Sequence, residues 1–124
     1  NGSSAYYNSG NVGIGTTNVG NYKLNVNGDV GAKGKIDCEE IEVKVVNLAD
    51  YVFEDDYNLK TLEEVETYIN ENGHLPEIPS AQEVAEEGMQ VGEMTNLLLQ
   101  KMKELTLYTI EQQKQIEELK KKVQ

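Results

Sequence analysis

Four places in this chain combine residue types and spacings that could do chemistry. Gly13-Ile14-Gly15, followed by Thr16 and Thr17, has the outline of a glycine-rich phosphate cradle. Such a cradle needs its glycines between a buried strand and the first turn of a helix, where the helix N-terminus meets the phosphate. No helix-compatible stretch follows before Thr61, and the chain has no Gly-Lys-Ser/Thr, so a nucleotide site is not expected. His74, in "NGHLPEIP", has Glu71 and Glu77 close in sequence. A metal or acid–base role needs partners that converge in space. A helix-end histidine packed under the proline loop is the simpler expectation. "FEDDYN" supplies Glu54, Asp55, Asp56 and Asn58, oxygen donors of the kind calcium takes, but without the spacing or the glycine of a calcium loop. Surface acids in a turn are favoured there.

Cys38 is the only cysteine, so no disulfide can form within one chain. It has no neighbouring histidine in sequence to activate it and reads as a small apolar filler, with an intermolecular bridge or a reactive thiol as the alternatives. No catalytic, cofactor-binding or metal-ligating residue is assigned, no cofactor is expected, and an enzyme has no supporting constellation. Any role must then come from the elements themselves.

The 124 residues are 38% hydrophobic, with one Phe, seven Tyr and no Trp. Globular domains average roughly 45–50% apolar residues, and a monomer this short and polar has little from which to build a core. Burial between copies is the natural remedy. No apolar run reaches the roughly 18 residues a membrane span requires, so membrane insertion is not expected. The chain begins at Asn1 and is read as a fragment of a longer protein. Its net charge of −11 is unevenly spread: residues 37–93 hold 17 acids against Lys44 and Lys60, while the flanking segments are each slightly basic. An acidic middle disfavours nucleic acid, which binds surfaces that displace counterions.

Three compositional zones give three expected segments. Residues 1–48 read as a β-rich shaft of short strands and turns. In "YKLNVNGDV", Tyr22, Leu24 and Val26 alternate with polar residues, the period-two mark of a strand. Val12 and Ile14 alternate with glycines, and Ile41, Val43 and Val45 alternate again. Asn27-Gly28 favours the tight turn of a hairpin. Val12, Ile14, Leu24 and Val26 are the expected shaft-packing residues, facing their own symmetry copies. Residues 49–90 read as a small α/β knob of two short helices on a preceding strand. Thr61 with Glu64, and Ser80 with Glu83, form capping boxes, while Gly73 and Gly88 supply the stops.

Residues 91–124 read as one long helix. Val91, Thr95, Leu98, Met102, Leu105, Thr109, Gln112, Ile116, Leu119 and Val123 follow one another in steps of four and three. That is a heptad seam with Met102, Thr109, Ile116 and Val123 at a, and Leu98, Leu105, Gln112 and Leu119 at d. Thr109 and Gln112 place polar groups in mid-seam, where they cost stability but set register. The flanking Lys101, Tyr108, Gln113 and Lys120 show no opposite-charge code, so the heptads alone leave strand number open.

From "ADYVF" at 49–53 onward, the chain closely resembles the C-terminal module of bacterial and phage tail-fibre-like surface proteins. The resemblance rests on that motif, "LKTLEEVE" at 59–66, "GHLPEIPS" at 73–80, "GEM" at 92–94 and "ELTLY" at 104–108. "GNVGIGTTN" and "KLNVNGDV" look like the glycine-rich shaft repeats of such fibres. One departure is that Asn18 is followed by Val19, where the family's repeat has Pro. The resemblance implies an α+β fibrous homotrimer with a β-rich shaft, a small α/β knob and a C-terminal parallel coiled coil, located in a virion tail fibre, outside the cell or on a bacterial surface. It implies assembly with itself as the main function. A receptor-binding tip for a host cell-surface glycan or protein is the alternative. Some fibre proteins carry a self-cleaving chaperone with a Ser-Asp nucleophile. None of Ser3, Ser4, Ser9 and Ser80 precedes an aspartate, and the chain has no Arg, so self-cleavage of that type is not expected.

Overall fold

The computed structural model describes residues 2–45 and 47–124. They form an α+β chain in two compact units, residues 1–41 and 42–124. The expected knob and the long helix thus belong to a single unit.

The first unit is built on two three-residue strands, β1 (Val12–Ile14) and β2 (Leu24–Val26). They pair in parallel, with Val12 opposite Leu24, Gly13 opposite Asn25 and Ile14 opposite Val26. The hairpin expected at Asn27-Gly28 is therefore absent: those residues follow β2 instead of joining two antiparallel strands. Residues 15–23 make the return. The Thr16 hydroxyl accepts from the Asn18 N–H at 3.0 Å, and the Asn25 amide donates to the Asn18 carbonyl at 2.7 Å. Two glycines are required by this path. A Cβ on Gly13 would come within 2.4 Å of the Thr16 carbonyl oxygen, and Gly15 has φ +69° with the Asn27 carbonyl against it. The register places Val12, Ile14, Leu24 and Val26 on one face of the pair, because neighbours in a parallel ladder point the same way. The Val12, Ile14 and Leu24 side chains are exposed there. Residues 41–45 form no strand, although Ile41, Val43 and Val45 alternate. Alternation specifies a strand only where another backbone is present to pair with it.

The second unit opens with a 3₁₀ helix, Ala49–Phe53, where a strand was expected. Helix α1 (Leu62–Asn72) and helix α2 (Ala81–Glu87) follow. Both capping boxes are formed, with Thr61 accepting from the Glu64 N–H at 3.2 Å and Ser80 from the Glu83 N–H at 3.1 Å. Gly73 closes α1 in the left-handed conformation, φ +74°. Helix α3 (Val91–Val123) runs 33 residues, about 50 Å at 1.5 Å per residue. The 3₁₀ helix packs on it, burying Ala49 and Val52. Gly92 lets the preceding segment cross the first turn of α3: a Cβ there would meet the Val43 side chain at 2.6 Å. No helix among the described residues is long and apolar enough to cross a membrane.

Candidate self-association interface

Helix α3 presents two unlike faces. One is a polar line at strict four-residue spacing, Asn96, Gln100, Glu104 and Tyr108, and the rest of the unit is fastened to it. Asn96 accepts from the Ala49 N–H at 3.0 Å and donates to the Asn47 carbonyl at 3.1 Å, so one side chain caps the start of the 3₁₀ helix. Gln100 is the buried centre of this line. Its amide oxygen accepts from the Tyr51 hydroxyl at 2.6 Å, and its NH₂ lies 3.3 Å from both the Tyr57 hydroxyl and Glu104. The Tyr57 hydroxyl donates to the Glu104 carboxylate. Tyr108 reaches the Lys60 carbonyl at 2.5 Å, tying α3 to the entry of α1.

Ion pairs flank the line. Lys101 bridges Glu104 at 3.1 Å and Glu77, and Glu77 also holds Lys60 at 3.1 Å. Lys103 pairs with Asp50 and lies 5.1 Å over the Phe53 ring. The protonation states follow from these contacts. Burial, then the hydrogen bond to Glu104, push the Tyr57 hydroxyl well above its ordinary value. Burial opposes ionisation of Glu77, yet its hydrogen bonds from Lys101 and Lys60 win and hold its carboxyl below the usual range. Burial likewise opposes the charge on Lys101, and Glu77 and Glu104 together raise it. Burial and the nearby Glu104 charge raise Tyr108.

The other face is the heptad seam. Val91, Leu98, Met102, Leu105, Ile116, Leu119 and Val123 are all exposed, from 46% at Ile116 to 87% at Val123. Thr109 and Gln112 are exposed as well, and so is every residue from Thr109 to the end. The side chains expected to mediate assembly therefore share one uncovered stripe, none of them used in the core of their own chain. The Thr109 hydroxyl donates to the Leu105 carbonyl at 2.9 Å. Its polar atom is thereby satisfied within its own helix.

Between the two faces lies a groove of about 660 Å³, walled by Leu62, Val65, Leu75 and Pro76 on one side and by Met102, Leu105 and Tyr108 on the other. Two seam residues thus also line a concave apolar site. A second cleft, of about 490 Å³, borders His74. His74 packs edge-on against Tyr68 with ring centroids 5.5 Å apart, and its Nδ1 lies 3.0 Å from the Leu75 carbonyl. His74 thus sits at the end of α1, half-buried against that helix. Cys38 is exposed, not the buried filler expected of it. Glu54, Asp55 and Asp56 are surface residues, and among the described residues no three His, Cys, Asp or Glu side chains converge as a metal site. Tyr51, Tyr57, Tyr68 and Tyr108 are half-buried, whereas Tyr6, Tyr7 and Tyr22 are exposed.

The polar line on α3 escaped the sequence reading, although its signal was there. Asn96, Gln100, Glu104 and Tyr108 recur every fourth residue beside the heptads. The missing charge code is explained by the same geometry: Lys101 and Tyr108 flank the seam but are committed to their own chain, through Glu77, Glu104 and the Lys60 carbonyl. Comparison with known proteins finds no matching family model, no matching curated protein and no matching solved structure.

Proposed function

We propose that this chain is a self-association module: three copies join through the α3 seam and together close the end of an extracellular fibre of the tail-fibre type. The observation that carries this reading is the uncovered heptad stripe on a helix whose opposite face is already occupied. Fully burying one large apolar side chain stabilises by about 1.5–3 kcal/mol. Weighted by the fraction each leaves exposed, the seven apolar seam residues contribute on the order of 7–13 kcal/mol per chain. The freedom lost on association costs about 4–15 kcal/mol, so the seam contribution is of the size that association requires. The exposed apolar face of β1 and β2 supports the same reading, because a two-stranded pair of three residues each is not stable by itself in water. Once α3 holds copies side by side, pairing among their shafts becomes a local event with a high effective concentration.

The number three and the fibre context rest on the resemblance of "GHLPEIPS", "ELTLY" and the glycine-rich repeats to tail-fibre-like proteins. Multi-angle light scattering at micromolar concentration is expected to give three times the chain mass. A monomeric mass sinks the proposal, and removal of residues 95–124 should abolish association and lower the melting temperature.

A further inference from the structure

We infer that the groove between α1 and α3 is an inter-chain site, closed in the assembly by the flank of α3 from a second copy. The inference rests on the self-association proposed above and specifies how the copies engage.

The heptad assignment puts Lys101 and Tyr108 at g, on the flank of the seam that carries the groove. Leu99, Thr106 and Gln113 fall at e, on the other flank. In parallel coiled coils the g flank of one helix faces the e flank of the next. A neighbour seated on the seam therefore brings its Leu99 and Thr106 toward the groove of the first chain. Three features of the molecule match that occupant. Met102 and Leu105 belong both to the seam and to the groove wall, so the two surfaces are continuous. Leu62 and Leu75 line the groove and are exposed, so the chain leaves the site unfilled. The e flank is uncharged from Leu99 through Gln113, which suits a largely apolar groove, and the charged Lys60, Lys101, Glu77 and Glu104 that also line it are paired among themselves. The contact is head-to-tail: each chain offers a groove to one neighbour and an e flank to the other. A closed ring of three uses every groove once.

The test is disulfide trapping of the full chain in a Cys38→Ser background. Leu62→Cys and Thr106→Cys are introduced together, and the protein is oxidised with copper phenanthroline. Leu75→Cys with Leu99→Cys is the second pair, should the first disturb assembly under reducing conditions. Covalent species of two and three chains on a non-reducing gel are expected from the double variant, whereas each single variant stays at one chain mass. Mixing and co-assembling the two single variants should give covalent pairs. If the parent is a trimer by light scattering and neither cysteine pair links chains, the groove assignment is overturned while self-association stands. A monomeric parent overturns both.

Discussion

The two faces of α3 divide the work of the helix in an unexpected way. The face that builds the folded unit is polar: Asn96, Gln100, Glu104 and Tyr108 fasten the preceding segments by hydrogen bonds. The face rich in Leu, Ile, Met and Val takes no part in it and stays exposed. In an ordinary amphipathic helix the assignment is the reverse, with the apolar stripe turned toward the core of its own chain. The difference teaches that within the single chain α3 is fastened mainly by directional contacts, with the small buried cluster of Ala49 and Val52 beside them, while its apolar stripe is left uncovered.

The contrast can be broken from either side. Leu105→Asp should have the largest effect, because it places a charge in the centre of the seam. Light scattering is expected to fall to a single chain mass, with much of the far-ultraviolet helical signal lost from residues 109–123. Gln100→Ala attacks the other face. It takes the acceptor from the half-buried Tyr51 hydroxyl, while Tyr57 keeps Glu104, and a lost hydrogen bond of this kind costs about 1 kcal/mol. Urea denaturation should show that loss in the stability of the knob, with the oligomer mass unchanged at protein concentrations well above the dissociation constant. Thr61→Ala removes half of a capping box and should cost about 1 kcal/mol, visible in the same experiment.

Acid and base should separate the faces further, since only the polar one titrates. Glu77 is held below its ordinary 4.5, so its contribution is present above that pH and is lost as pH falls through the lower folded value. Lys101 and Tyr57 are both raised, so their contributions are intact below 10.5 and 10.0 respectively and are lost as pH rises through the folded values. Thermal melting from pH 3 to 11 should therefore show a plateau with a loss at each end. Glu77→Gln should flatten the acid limb and Tyr57→Phe the alkaline one; limbs unchanged by either variant would remove the polar face from the account. The smallest effect is expected of Thr109→Val, which removes a hydroxyl already satisfied within the helix. It should raise the melting temperature of the assembly slightly without changing its mass.

Legibility followed the range of the interactions. The helix starts at Thr61 and Ser80 could be read directly, because a capping box involves residues three apart. The start of α3 at Val91 and the exposure of its heptad stripe were legible for the same reason, the heptad being a local pattern. The parallel pairing of β1 with β2 was not, since Asn27-Gly28 carries a hairpin signal and only the return through residues 15–23 decides the direction. The alternation of Ile41, Val43 and Val45 misled in the same way: a strand is made by its partner. In "ADYVF", Asn96 supplies the acceptor that stabilises a 3₁₀ turn from 47 residues away, which no window around Ala49 contains. The unfilled groove needs α1 and α3 together and could not be seen in either.

The parallel register of β1 and β2 has a consequence for growth. From Val12 to its partner Leu24 the chain spends twelve residues and advances sideways by one strand spacing, about 4.8 Å. The same twelve residues in α3 span about 18 Å. A chain that repeated this turn would lengthen in small, equal steps of one strand spacing. A residue gained or lost within 16–23 alters the outline of that return and leaves the spacing of the two strands untouched. A residue gained or lost in α3 rotates everything beyond it out of the seam. A change of length therefore acts locally in the return between β1 and β2 and cumulatively along α3.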